Sequence, residues 1–375
     1  MITLRVIVDE VTAVPNGGMS RYAEELTRQL IATAPRGSNV AGIVSASPEP
    51  DYVHLAERLP GLVELYKSPL ARRELAAAWS HGFTRLPGAG MVHATTLLAP
   101  MHRHQPVSGR NDQTVVTVHD AIAWTDPELL SPRQASWNRA MTKRAERFAD
   151  AVVTPTHAVA EVLAENFAFG DRLRVIGGAP SSRLHSMPDD RARRERIGLR
   201  GDYLLTVAGL DPRKGLAVLI AALGLVPDVR LAVVGAQGDA DGIAELARDR
   251  GIDAERVIVL DPLDDDDLSA VLQGATAFVL ASRAEGFGLA LVEALAFGLP
   301  VIHSDVPALV EVAADAGVII PRDDADEAAR YSAAIQQVLD DAELRTRLGL
   351  SARDRSRAFS WRDSAEKVWQ LHADL

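Results

Sequence analysis

Cysteine is absent from all 375 residues. Disulfide frameworks, thiolate metal sites and thiol nucleophiles are thereby excluded, and the reducing cytoplasm is the expected compartment. No window approaches the roughly 20 apolar residues that a membrane-spanning helix needs. A secretory leader is not expected either. MITLRVIVDEV reaches Asp9 and Glu10 after a short apolar run, whereas a leader needs a basic start and a longer apolar region. Positive charge is in deficit: the net charge is −11, and residues 1–184 hold 19 of the 40 basic but only 18 of the 51 acidic side chains. The acid therefore lies in the second half. A field of that sign opposes nucleic-acid binding while leaving room for a local basic pocket that takes a small phosphate-bearing ligand. Gly235, Gly238 and Gly242 do not complete a dinucleotide fingerprint after a strand, so no nicotinamide cofactor, and no other cofactor, is expected. The acidic run Asp264 to Asp267 precedes LSAVLQGA, where carboxylates cap a helix, so a metal site is not expected there.

What is present is alternation. Hydrophobic residues make up 47% of the chain, and short β-branched runs (LRVIV, NVAGIV, QTVVTV, AVVTP, LRVIG) alternate with helical stretches at Met19 to Ala32 and Arg133 to Phe148. Such a pattern predicts a parallel sheet covered by helices. Periodicity lapses over residues 177–190, where Gly, Pro, Ser and Asp collect. The pattern then restarts with DYLLTVAG, VRLAVVG, RVIVL and TAFVLAS and the helices between them. The fold class expected is α/β, with two Rossmann-like doubly wound domains, 1–180 and 185–355, facing across a cleft. The last helix, from Trp361, either caps the second domain or crosses back to the first.

Ligands in doubly wound sheets sit beyond the carboxyl ends of strands. Three stretches fall there. SRAEGFGLALVEALAFGLPVIHSD carries Glu285 in a loop after a strand and Glu293 about one turn into the following helix, with Gly286, Phe287, Gly288 and Leu289 between them. A glycine-fed helix start suits a pyrophosphate or sugar phosphate, and a carboxylate one turn in can bind vicinal hydroxyls. VAGLDPRKGL ends a strand at Gly209 and places Arg213 and Lys214 at a helix start, where the helix dipole disfavours two cations unless an anion is present. Lysine is rare in this arginine-rich chain, so Lys214 suggests a compact point charge. In the first half, PNGGMSRYAEEL sets Gly17 and Gly18 between strand and helix, and TVVTVHD ends a strand at His119. A glycine turn or a lone histidine is more often structural than functional. His93, His102, His104 and His157 have weaker support.

The EGFGLALVE stretch resembles the retaining glycosyltransferases of family 4, the glycogen-synthase-like group of GT-B fold, whose hallmark is two glutamates with seven residues between them. Ala290, where proline is frequent, and His303, where a small apolar residue is common, depart from the pattern. The resemblance implies that Glu293 binds the nucleotide ribose and Glu285 the donor sugar hydroxyls, with Gly209, Gly286, Phe287, Gly288 and Leu289 around the donor. It further implies that Arg213 and Lys214 hold the diphosphate, that Gly17 and Gly18 approach the donor phosphate, and that His119 lies near the reacting carbon. The implied reaction transfers a hexosyl group, mannosyl among the candidates, from a GDP- or UDP-sugar to a glycan or lipid-linked hydroxyl. It proceeds with retention and without a metal. The resemblance also implies that segment 358–375 completes the first domain. The basic helix Arg133 to Phe148, with Trp137 and Met141, raises a peripheral contact with anionic membrane as a minority reading. A sugar-nucleotide epimerase and a non-catalytic two-lobed sugar-binding protein are the alternatives.

Overall fold

The computed structural model describes residues 2–13, 17–84, 90–103, 112–236, 238–260, 262–322 and 326–375. The chain divides into two compact units, Met1–Gly178 with Ser360–Leu375, and Ala179–Phe359.

The first unit is built on seven strands: β1 (Ile2–Ile7), β2 (Ser38–Ala46), β3 (Leu65–Ala71), β4 (Met91–Ala94), β5 (Gln113–Thr117), β6 (Ala151–Thr154) and β7 (Leu173–Val175). They run parallel in the order β3-β2-β1-β4-β5-β6-β7. Central strands such as AVVT of β6 are buried at every position, as a sheet covered on both faces requires. The helix Gly18–Ala32 buries Tyr22, Leu26 and Leu30, a four-residue spacing that puts one apolar stripe on the sheet. The C-terminal helix Trp361–Asp374 belongs to this unit. Its Trp369 Nε1 donates to the Leu30 carbonyl at 3.1 Å, Ser364 Oγ donates to the Gly177 carbonyl at 2.7 Å, and Trp361 stands edge-on to Tyr22.

The second unit has six parallel strands, β8 (Leu204–Val207), β9 (Leu231–Val234), β10 (Val257–Leu260), β11 (Ala277–Leu280), β12 (Val301–Ser304) and β13 (Gly317–Ile320), in the order β10-β9-β8-β11-β12-β13. Connections leave β8 toward one edge and β11 toward the other, so β8 and β11 flank the topological switch point. Around it a core of Leu216, Ile220, Val233, Val279, Ile302 and Tyr331 is closed to solvent. The Asp264 carboxylate caps the helix Asp265–Gly274, while Asp266 and Asp267 pair with Arg193.

Candidate functional site

In the second unit the residues of interest leave the two strands at the switch point. After β8 the chain makes a single 3-10 turn, Pro212–Lys214, before the helix Leu216–Gly224. Asp211 organises that turn. Its carboxylate accepts from the Arg213 backbone N–H at 3.0 Å and from Arg213 Nε at 2.9 Å. Burial alone would raise the Asp211 pKa, but those hydrogen bonds and the charges of Arg213 and Lys214 outweigh it and hold the group below the usual carboxylate range. Gly215 follows at φ +62°, and a Cβ there would lie 1.9 Å from the Ala281 carbonyl oxygen. Only glycine fits so close to the end of β11.

After β11 the loop Ala281 to Gly288 returns the contact. The Arg283 N–H donates to the Arg213 carbonyl at 2.7 Å. Lys214 Nζ donates to Glu285 Oε1 at 2.5 Å, and Ser282 Oγ donates to the same oxygen at 3.0 Å. Ser304 Oγ in turn donates to the Ser282 carbonyl at 2.5 Å. Gly288, at φ +79°, opens the helix Leu289–Ala296, and Glu293 lies inside that helix, buried. Gly286 is buried, Phe287 stands edge-on to Phe359, and Leu289 is half-buried. A Cβ on Gly288 would meet Leu309 at 2.5 Å, whereas one on Gly209 would make only ordinary contact with Gly235.

This geometry corrects one expectation. Arg213 and Lys214 are not cations waiting for an external anion at a helix start: Arg213 is held by Asp211, and Lys214 by Glu285. The sequence reading gave no role to Asp211 and Gly215, and noted Ser282 only as a small polar residue before the glutamate motif. The signal for Gly215 was its place after an Asp-Pro turn and before an apolar helix.

In the first unit, His119 follows β5. Its Nε2–H donates to the Thr95 carbonyl at 2.7 Å, and Tyr22 meets the ring edge-on at 4.7 Å. A carbonyl only accepts, so the proton of the neutral ring sits on Nε2 and Nδ1 carries the lone pair. Burial lowers the His119 pKa, opposed by the Thr95 hydrogen bond and the charges of Asp120 and Glu10; the ring is neutral at physiological pH. Gly17 caps the helix that carries Tyr22, and Gly18 is exposed. The carboxyl end of β1 also holds a cluster the sequence reading missed: Arg72 bridges the buried carboxylates of Asp9 and Glu10, and Asp9 accepts from the Ser45 N–H at 2.7 Å.

The basic helix Pro132–Phe148 packs on the first unit. Met141 is buried, Trp137 and Phe148 pack on the core of the unit, and Arg139 and Arg144 donate to the Ala123 and Met101 carbonyls. His157 is exposed, His93 is buried, His102 turns onto the Pro100 carbonyl, and His104 lies outside the described residues.

The profile of the Glycosyltransferase Family 4 family matches residues 16–179, and that of Glycosyl transferases group 1 matches residues 189–355. The chain is a family 4 glycosyltransferase. It is 28% identical to D-inositol 3-phosphate glycosyltransferase 1 of Catenulispora acidiphila, over 95% of this chain and 90% of that protein. It is 35% identical to the phosphatidyl-myo-inositol mannosyltransferase of Mycolicibacterium smegmatis, over 43% of this chain and 42% of that one. With this mannosyltransferase and several further inositol 3-phosphate glycosyltransferases, the chain spans about half the length of the relative. Among solved structures, Anabaena HepE in complex with UDP-glucose superposes over the whole of both chains with a TM-score of 0.75 at 18% identity. That likeness shows the two-Rossmann-like GT-B fold of the glycosyltransferase. Membership sets aside the epimerase and the non-catalytic binding protein.

Proposed function

We propose that this glycosyltransferase moves a hexosyl group from a GDP- or UDP-sugar, held by the second unit, to a hydroxyl of an acceptor held by the first, with retention and without a bound metal. One observation carries the donor half: Lys214 and Glu285, from the two strands at the switch point, meet in an ion pair at the place where doubly wound sheets bind ligands. In this reading Arg213 and Lys214 meet the charge that grows on the diphosphate as the glycosidic bond breaks, and the departing phosphate takes the acceptor proton on the same face. Glu285 engages the sugar hydroxyls and Glu293 the ribose. The neutral ring of His119 stands near the reacting carbon.

Relatives named for inositol 3-phosphate and phosphatidyl-myo-inositol support an acceptor hydroxyl on a small polyol, a glycan or a lipid-linked carbohydrate. We place the reaction in the cytoplasm, as the lack of cysteine suggests. No helix among the described residues is long and apolar enough to cross a membrane. Any contact with anionic lipid would draw on exposed charge such as Arg133 and Arg147, and that part of it would weaken with salt.

Glu293→Ala tests the donor reading. Affinity for the nucleotide sugar and for the free nucleoside diphosphate should fall together, by on the order of tenfold or more, because the ribose is common to both. Calorimetry on a variant with a native circular dichroism spectrum reads this, and unchanged nucleotide affinity would remove the ribose assignment.

Gly18→Ala tests the glycine turn. A Cβ at Gly18 meets none of the described residues within 4 Å and the residue needs no positive φ, and alanine is the better helix former by about 1 kcal/mol. The melting temperature should hold or rise. If the turn approaches the donor phosphate through its backbone, the KM for donor rises several-fold; an unchanged KM makes Gly18 plain punctuation between strand and helix.

A further inference from the structure

Glu285 is held from one side only. Lys214 Nζ at 2.5 Å and Ser282 Oγ at 3.0 Å both donate to Oε1, and among the described residues Oε2 has no hydrogen-bond partner. Ser282 is fully buried and lies three residues before the glutamate. Its backbone is pinned as well, since its carbonyl accepts from Ser304 Oγ, and the Leu280 carbonyl two residues earlier accepts from Tyr331 Oη at 3.0 Å. The hydroxyl that reaches Glu285 therefore starts from a fixed point at the end of β11. The lysine does not: its side chain is about one-third exposed on a long flexible stem.

We infer that Ser282 is a positioning residue, whose hydroxyl fixes the Glu285 carboxylate so that Oε2 is presented to the hydroxyls of the transferred sugar. This rests on the reading of Glu285 as the sugar-binding carboxylate. A carboxylate held at one oxygen by two donors keeps its other oxygen's lone pairs in a set direction, and the lost rotamer freedom no longer opposes sugar binding. The nucleotide portion of the donor makes no use of Ser282.

The test compares wild type, Ser282→Ala, Glu285→Ala and the double variant by calorimetry, with UDP, UDP-glucose, GDP and GDP-mannose as probes. For whichever base binds, Ser282→Ala should weaken the nucleotide sugar about tenfold and leave the free nucleoside diphosphate within twofold. In the Glu285→Ala background Ser282→Ala should cause no further loss, because it acts through the glutamate. An equal loss for sugar nucleotide and free nucleotide, or an additive loss in the double variant, would show a merely structural role and overturn the inference. Should Glu285→Ala weaken the nucleotide sugar while Ser282→Ala does not, the inference fails and the donor reading stands. If wild type binds none of the four probes, the GDP- or UDP-sugar reading fails with it.

Discussion

Lys214→Ala should lower kcat by on the order of 10²-fold or more at saturating donor, with a smaller change in donor KM. If the ammonium meets charge that appears only as the bond between sugar and diphosphate breaks, its loss is felt in the transition state and not in the bound ground state, so kcat carries the effect. The ion pair with Glu285 makes this sharper. In the resting protein the lysine already neutralises a carboxylate that is only 15% exposed, so the presence of Lys214 could be explained without any substrate. Stability tells the two roles apart. Removing the lysine leaves a mostly buried carboxylate with the Ser282 hydrogen bond, which should cost about 1–3 kcal/mol and shift the melting temperature by several degrees. A loss of 10²-fold in kcat beside a shift of a few degrees assigns the lysine to chemistry. Near-normal kcat in a folded Lys214→Ala variant would reduce it to a structural ion pair and take away the main electrostatic element of the proposed reaction.

The same pair marks where sequence reasoning worked and where it stopped. Strands such as AVVT and AFVL, buried at every position, announce themselves as unbroken apolar runs, and the lapse of periodicity over residues 177–190 falls where the contact pattern changes units, at Gly178 and Ala179. Of the strands not read from the sequence, β13 (GVII) is a short apolar run, and two others are atypical. β3 (LYKSPLA) is an edge strand, where Lys67 and Pro69 are tolerated because one side of the backbone has no partner strand. β4 (MVHA) is short and carries His93 into the interior. At the site, the EGFGLALVE spacing located both glutamates, since strand end, glycine turn and helix start are local. Long-range partners leave no local trace. The separation of 71 positions between Lys214 and Glu285 is closed only by the order in which β8 and β11 pair. The dipole argument about two unpaired cations therefore missed Glu285, which faces Lys214, whereas Asp211, which holds Arg213 from two residues away, was local and legible. Arg72 clasping Asp9 and Glu10 across more than 60 residues was hidden for the same reason, and Asp9 and Glu10 read from sequence only as the acidic end of a first strand and an argument against a leader.

Gly215→Ala should be the most damaging small substitution in the second unit. The φ of +62° alone costs a non-glycine residue about 1–2 kcal/mol. The new methyl would also sit 1.9 Å from the Ala281 carbonyl oxygen and 2.8 Å from its carbon, atoms of backbone and not of a side chain that could swing aside. Relief requires the 3-10 turn and the end of β11 to move apart, and strain of this kind adds about 1–3 kcal/mol. The melting temperature of the second unit should drop by about 5–15 °C, at 2–4 °C per kcal/mol for a unit of this size. Function should suffer beyond stability. The displaced segments carry Lys214 and Glu285 and share the Arg283 to Arg213 hydrogen bond, so nucleotide-sugar affinity should fall even at temperatures where the variant is fully folded. Gly18→Ala, whose Cβ meets none of the described residues, is the matched control for the melting effect of a methyl on a glycine near a helix start, not for donor affinity. Thermal unfolding followed by tryptophan fluorescence and circular dichroism, with donor titrations well below the transition, reads both effects. A Gly215→Ala variant with wild-type melting and wild-type donor affinity would mean that the turn and the end of β11 are not in contact as described, and the ion pair that joins them would lose its geometric basis.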